Sequence, residues 1–83
     1  MTRSEIFEVV RANIITVVEG VSPEAISEKV SMRELGADSL QTVEVVSRSM
    51  KQLRLRVPRT ELTRARNLGD LLDLFERAAA APS

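Results

Sequence analysis

Apolar residues recur every three or four positions in three separate stretches of this chain, which is the spacing of one face of an α-helix. The first stretch covers residues 4–18, and the repeat persists there despite many β-branched side chains. We expect Ser4 to cap this helix and Gly20 to lie just beyond its end, because these residue types favour those positions. The positions of the repeat are Ile6, Val9, Val10, Asn13, Ile14, Val17 and Val18.

A second helix is expected to begin at Asp38 and to run to about Arg54. Its apolar positions are Leu40, Val43, Val45 or Val46, Met50 and Leu53. Asp38 is a strong helix N-cap, so Ser39 falls in the first turn with its hydroxyl facing solvent. Gly36, two residues before the cap, can take the backbone angles of a sharp turn. The pattern therefore predicts a serine that is held by a rigid helix and is accessible to a modifying enzyme.

The remaining segments complete a small all-α bundle of three to four helices. Residues 20–37 form an unusually long first connection, and its apolar residues predict a loop that packs along the helices. These residues are Val30, Met32 and Leu35. Pro58 predicts a short helix from about Arg59 to Arg64, and Asn67 caps a last helix from Leu68 to about Ala80. The expected core residues of the first and last helices are Ile6, Val10, Ile14, Leu68, Leu71, Leu72 and Phe75.

The composition limits the chemistry that the chain can perform by itself. Its 83 residues include no cysteine and no histidine, so disulfides, thiolate zinc ligands and the commonest general base are missing. We expect one domain over residues 1–83, ordered over about residues 4–80, that is not an enzyme and binds no metal. The N-terminus carries Glu5 and Glu8 and no long apolar run, which predicts a cytoplasmic protein without a signal peptide or membrane span.

Charge is unevenly distributed along the chain, although the formal net charge is zero. Residues 1–40 carry seven acidic and four basic residues, whereas the segment from Glu44 to Arg66 carries seven basic and two acidic residues. A basic segment can bind nucleic acid, but the absence of Tyr and Trp for base stacking favours a protein-docking surface. From these observations alone, an unmodified helical interaction or nucleic-acid-binding module stays an open alternative.

The segment Leu35-Gly36-Ala37-Asp38-Ser39-Leu40, followed by Gln41-Thr42-Val43-Glu44-Val45-Val46, resembles the G-x-D-S-L-x-x-V-E motif of acyl carrier proteins. Arg56-Val57-Pro58 and Asn67-Leu68-Gly69-Asp70-Leu71 are similar to later segments of that family, so the resemblance covers roughly residues 4–77. It implies that Ser39 carries a 4′-phosphopantetheine arm taken from coenzyme A, with Asp38 and Leu40 as flanking motif residues. The thiol of this arm would hold an acyl group, acetyl or malonyl, as a thioester.

The resemblance also implies partner enzymes and a surface that they recognise. A phosphopantetheinyl transferase would attach the arm, and the other implied partners are an acyltransferase and a ketosynthase or an enzyme that resembles 3-hydroxy-3-methylglutaryl (HMG) synthase. The expected docking residues are Leu40, Val43, Glu44, Arg48 and Arg59. An ordinary i,i+4 ion pair between Glu44 and Arg48 is the simpler interpretation of those two residues. We expect a monomer that binds neither nucleic acid nor membrane.

The basic residues distinguish this chain from the well-known fatty-acid carriers, which are strongly acidic along the second helix. Here that region contains Arg48, Lys51 and Arg54. The segments 55–58 and 61–71 look most similar to stand-alone carriers of polyketide pathways that donate an acetyl group to an HMG-synthase-like enzyme for β-branching. A fatty-acid synthesis carrier is the alternative. Met1 and the short C-terminal tail favour a free-standing protein over a segment of a larger synthase.

Overall fold

The computed structural model describes residues 1–81 and contains four α-helices, one short 3-10 turn and no strand in that range. The helices are α1 (Arg3–Val17), α2 (Ser39–Leu53), α3 (Arg59–Leu62) and α4 (Leu68–Ala80). The predicted all-α bundle with a long first connection is confirmed, and the predicted domain end at residue 83 lies outside the described residues. None of these four helices has the length and apolar character needed to cross a lipid bilayer.

The prediction that Ser4 caps α1 is wrong, because the helix begins one residue earlier and Thr2 is its N-cap. The Thr2 hydroxyl accepts a hydrogen bond from the Glu5 amide at 3.2 Å, and the Glu5 carboxylate accepts one from the Thr2 amide at 2.7 Å. This capping box needs an acidic or amide side chain three residues after the cap. Ser4 has Phe7 at that position and therefore lies inside the first turn.

Helix α3 is also shorter than predicted and ends at Leu62 instead of Arg64. The amide of Arg64 donates to the Glu61 carbonyl, and that of Ala65 donates to the Leu62 carbonyl. These bonds span three residues, as in a 3-10 helix, and such bonds commonly tighten the end of a helix.

One apolar cluster forms the core, and α1, α2, α4 and the first connection all contribute buried side chains to it. The seven predicted core residues of α1 and α4 are each at most 4 % exposed, which confirms that part of the prediction. Of the apolar residues predicted for α2, some are buried and others are exposed. Leu40 and Val43 face solvent, whereas the buried face of α2 consists of Val45, Val46, Ser49 and Leu53.

A buried polar contact explains why a serine belongs to that inner face. The Asn13 side-chain amide of α1 donates to the Ser49 hydroxyl at 3.0 Å and to the Gln52 side-chain oxygen at 2.8 Å. Burial of a polar group costs stability unless it is hydrogen-bonded, and this contact meets that requirement. It therefore joins α1 to α2 at a defined register.

The long connection from Val18 to Asp38 packs against the helices, as predicted from its apolar residues. Ile26 and Leu35 are buried within it, and its 3-10 turn spans Pro23–Ala25. Two of its carbonyls also receive hydrogen bonds from the first turn of α4. The Leu68 amide donates to Val30 and the Gly69 amide donates to Glu28, both at 2.9 Å.

Arg3 connects α1, the first connection and α4 through one guanidinium group. It donates to the Glu28 and Asp73 carboxylates at 2.7 Å each, to the Gly69 carbonyl at 3.1 Å, and to the Glu76 carboxylate. The side chain of Arg3 is 30 % exposed. The hydrogen bond from Arg3 lowers the pKa of Glu28 below its ordinary value.

Replacing Arg3 by Gln should lower the urea midpoint of unfolding near neutral pH, and the difference from the wild type should shrink as the pH falls. A carboxylate with a lowered folded-state pKa contributes stability above its unfolded-state pKa, and the contribution is lost as the pH falls through the folded value. Because the ordinary pKa of Glu28 is 4.5 and its pKa in the folded protein is lower, this stabilisation should be lost at acidic pH. The urea midpoints of the variant and the wild type are measured by circular dichroism from about pH 7 to about pH 2.5.

The control is Arg48→Gln, which removes an exposed ion pair within α2 and should change the midpoint less than Arg3→Gln does. A deficit of Arg3→Gln that stays constant between neutral and acidic pH would contradict the role assigned to the carboxylates around Arg3.

Candidate functional site

A tight turn before Gly36 orients the chain toward α2. The Glu34 amide donates to the Ser31 hydroxyl at 3.0 Å, and the Ser31 amide donates to the Glu34 carboxylate at 3.0 Å. Gly36 has a φ of +91°, where a residue with a side chain would be strained. The amide of Ala37, which is buried, donates back to the Met32 carbonyl at 3.0 Å. The turn therefore fixes the direction in which the backbone enters α2.

Asp38 and Gln41 form a capping box at the start of α2. The Asp38 carboxylate accepts from the Gln41 amide at 2.8 Å, and the Asp38 amide donates to the Gln41 side-chain oxygen at 3.0 Å. Ser39 is the first helical residue and is exposed. Within residues 1–81, the amides of Ser39 and Leu40 donate no hydrogen bond. Two free donors at the positive end of the helix dipole thus lie beside an accessible hydroxyl.

A groove of about 830 Å³ opens beside Ser39, between α2 and the segment that contains α3. This volume lies within the range of small-molecule pockets, roughly 300–1,000 Å³. The α2 wall consists of residues at helical spacing, which are Ser39, Thr42, Val43, Val46, Ser47 and Met50. Half of the other lining residues are apolar, and they include Met32, Val57, Leu62, Ala65, Leu68 and Leu71. The charged lining residues are Arg33, Asp38, Arg59 and Arg66.

The structure divides the predicted docking residues between this groove and the outer face of α2. Val43 and Arg59 line the groove, whereas Leu40, Glu44 and Arg48 lie outside it. Leu40 is 82 % exposed and Val43 is 51 % exposed, which is unusual for such large apolar side chains. Arg48 Nη2 lies 3.0 Å from the Glu44 carboxylate, so the predicted i,i+4 pair is confirmed.

The residues of this site fall inside the match to a known protein family. The family described as "Phosphopantetheine attachment site" matches residues 12–75. The chain belongs to this family of acyl carrier proteins. Its members bear a 4′-phosphopantetheine group, and this membership decides against the unmodified interaction module that composition alone left open.

The carrier is also similar to individual acyl carrier proteins over nearly its whole length. It is 32 % identical over 82 residues to the polyketide biosynthesis acyl-carrier-protein AcpK of Bacillus subtilis (strain 168), covering 98 % of this chain and 100 % of that protein. It is 36 % identical over 86 residues to the acyl carrier protein of Saccharopolyspora erythraea, covering 98 % of this chain and 90 % of that protein.

Among solved structures, the carrier is similar to a chain in the crystal structure of the curacin biosynthetic pathway HMG synthase in complex with acetyl donor-ACP. The TM-score is 0.80 and the sequence identity is 29 %, and the match covers 95 % of this chain and 99 % of that chain. The fold of the carrier is therefore that of a known acyl carrier.

Sequence reasoning missed several residues that line the groove of the carrier. Thr42 and Ser47 lie three and eight positions after Ser39, so helical spacing from the serine could have found them. Arg33 and Arg66 lie in connections, where no periodicity predicts the direction of a side chain. Their position in the groove depends on how the connections pack.

Replacing Asp38 by Ala should destabilise the carrier by about 1 kcal/mol, because the Gln41 amide at the start of α2 loses its acceptor. Asp38→Asn is the matched control, since an asparagine caps a helix about as well as an aspartate. Urea unfolding followed by circular dichroism measures both variants. Equal destabilisation by the two substitutions would show that the negative charge of Asp38, and not its hydrogen bond, stabilises α2.

Proposed function

We propose that Ser39 is the residue to which the 4′-phosphopantetheine group is attached. The observation that carries this proposal is the exposed hydroxyl of Ser39 at the first position of α2, beside the two free amides of Ser39 and Leu40. A phosphodiester at this position would lie at the positive end of the helix dipole, where backbone N–H groups bind phosphate well. Asp38 holds the turn that presents the serine, and Leu40 follows it on the exposed face.

The groove beside Ser39 offers room for the attached group and a short acyl chain. When attached, phosphopantetheine supplies a thiol that holds an acyl group as a thioester. The chain has no cysteine of its own, so an external thiol is required for this role. Loading and transfer of the acyl group belong to partner enzymes, and the protein, as one domain over residues 1–83, positions the cargo.

We further propose that the carrier serves polyketide biosynthesis and presents an acetyl or malonyl group to an HMG-synthase-like enzyme or a ketosynthase. The similarity to a carrier named for polyketide biosynthesis supports the pathway, and the similarity to a carrier crystallised with an HMG synthase supports the partner. The basic residues between Glu44 and Arg66 favour this role over fatty-acid synthesis, because the common fatty-acid carriers are acidic there.

The attachment site is tested by intact mass after incubation with coenzyme A, magnesium and a phosphopantetheinyl transferase of broad specificity. The wild type should gain one phosphopantetheine unit, and Ser39→Ala should gain none. Ser39→Ala should also keep its fold, with a free energy of unfolding within about 0.5 kcal/mol of the wild type, because the hydroxyl is exposed.

Ser47→Ala is the matched control, since Ser47 is another exposed serine of α2 that lines the same groove. It should be modified as the wild type is. An unmodified but helical wild type, or a mass gain that persists in Ser39→Ala, would refute Ser39 as the attachment residue.

The partner is expected to recognise an apolar and basic surface. Leu40 and Val43 expose apolar area next to Ser39, while Arg48 and Arg59 follow that area in the chain with positive charges. Exposed apolar area surrounded by polar residues is typical of a protein-docking surface. Charge complementarity then requires acidic residues on the partner enzyme opposite Arg48 and Arg59, and it acts mainly on the rate of association.

Reversing both charges, with Arg48→Glu and Arg59→Glu together, should slow acyl transfer to the cognate synthase about tenfold at low salt. The difference from the wild type should shrink at high salt, because ions screen exposed charges. Arg11→Glu, on α1 and outside the lining of the groove, is the control for a charge reversal in another helix. Unchanged transfer by the double variant at low salt would contradict this docking surface.

A further inference from the structure

We propose that Arg33, Arg59 and Arg66 form a carboxylate-binding site in the groove beside Ser39, which favours an acyl group that ends in a free carboxylate. The inference rests on the proposed function, because the acyl group reaches this groove from an arm attached at Ser39. It concerns the cargo of the carrier rather than its partner.

The lining of the groove carries more positive than negative charge. Its lining contains three arginines and a single acidic residue, Asp38. The Asp38 carboxylate already accepts a hydrogen bond from the Gln41 amide at 2.8 Å, which holds it at the N-cap of α2. Within residues 1–81, none of the three arginines forms a salt bridge.

Of the acidic residues near these arginines in the chain, Asp70 accepts a hydrogen bond from the Arg66 backbone amide at 3.0 Å, and neither Asp70 nor Glu61 lines the groove. Four other acidic residues pair with other arginines. Glu28, Asp73 and Glu76 surround Arg3 on the other packing surface of the bundle, and Glu44 pairs with Arg48. The guanidinium groups of the groove are therefore free to bind an anionic ligand. Each offers a planar set of donors that matches a carboxylate in two parallel hydrogen bonds.

The three arginines come from three different parts of the chain. Arg33 lies in the turn before Gly36, Arg59 begins α3, and Arg66 directly precedes the N-cap of α4. Packing of the connections against α2 brings all three to one groove.

The apolar walls determine which acyl group gains from these charges. Val46, Met50, Val57 and Leu62 line part of the groove with side chains that cannot hydrogen-bond. A carboxylate that enters such a space loses water and is stable there only beside a charged or hydrogen-bonding partner. An acyl group that ends in a methyl group gains nothing from the arginines. The groove therefore favours a dicarboxylic acyl group, of which malonyl is the shortest.

Two other anions could meet the same arginines, and each predicts a different result. The phosphodiester of the arm is present whatever acyl group is attached, so it would engage the arginines in every modified form. An acidic surface of a partner enzyme is absent from the isolated carrier, so it would leave the arginines unchanged in every isolated form.

The test compares three forms of the isolated carrier, namely unloaded, malonyl-loaded and acetoacetyl-loaded. The acetoacetyl group is nearly the same size as malonyl and has a methyl group where malonyl has a carboxylate oxygen. Arginine Nε–Hε resonances report the guanidinium environment near neutral pH. Carbon-13 in the malonyl carboxylate reports its proton affinity during a pH titration, with malonyl-pantetheine in solution as the reference.

We expect the Arg33, Arg59 and Arg66 resonances to shift in the malonyl form but not in the acetoacetyl form. The proton affinity of the malonyl carboxylate should fall about tenfold below that of malonyl-pantetheine, because a neighbouring arginine favours the charged form. The double variant Arg33→Gln/Arg66→Gln, which keeps only Arg59 of the three, should recover most of the difference from malonyl-pantetheine. Arg56→Gln/Arg64→Gln has the same net charge, changes no lining residue of the groove, and should behave as the wild type does.

Identical arginine resonances in the malonyl and acetoacetyl forms, with an unchanged proton affinity, would overturn the carboxylate site. If the arginine resonances were the same in the unloaded and malonyl-loaded forms, the arginines would be assigned to the phosphodiester, and the carboxylate site would also be overturned. If the two double variants had equal effects, the result would be due to net charge, and the carboxylate site would be overturned. Intact mass separates these results from a failure of the proposed function, in which no arm attaches at Ser39 and both proposals fall.

Discussion

Two hydrogen bonds between the first connection and the first turn of α4 hold this fold in the form that its function needs. The amides of Leu68 and Gly69 would have no partner inside α4, and the carbonyls of Val30 and Glu28 accept from them. Gly69 permits this approach, because a Cβ atom there would lie 3.2 Å from the Glu28 carbonyl oxygen. The connection is thereby held against the bundle over its middle, and its last residues reach α2 from a fixed direction.

The two long helices that follow a connection use their N-termini in opposite ways. At α4, carbonyls of the connection and the side chain of Asn67 accept from the first three amides. At α2, the Asp38 side chain satisfies the third amide, and the first two stay free beside Ser39. Hydrogen bonds thus satisfy the amides at the start of α4, whereas two amides at the start of α2 stay available for the proposed phosphodiester.

The placement of charge follows a similar division. Arg3 gathers three carboxylates where α1, the first connection and α4 meet. The arginines of the groove then face a space with no opposite charge except the capping Asp38. A net charge of zero conceals this arrangement. The groove beside Ser39 consequently carries a net positive charge, which bears on both the proposed cargo and the proposed partner.

The sequence by itself determined the features that depend on neighbouring residues. The helical repeat placed α1, α2 and α4, and Asp38 and Asn67 marked two N-caps, because both signals act within one or two turns of chain. The motif around Ser39 identified the family for the same reason. Only the tertiary structure decided that Ser49 is buried while Leu40 is exposed, and that Arg33 and Arg66 meet in one groove. Those outcomes depend on contacts between residues far apart in the chain, such as that of Asn13 with Ser49, which no local pattern encodes.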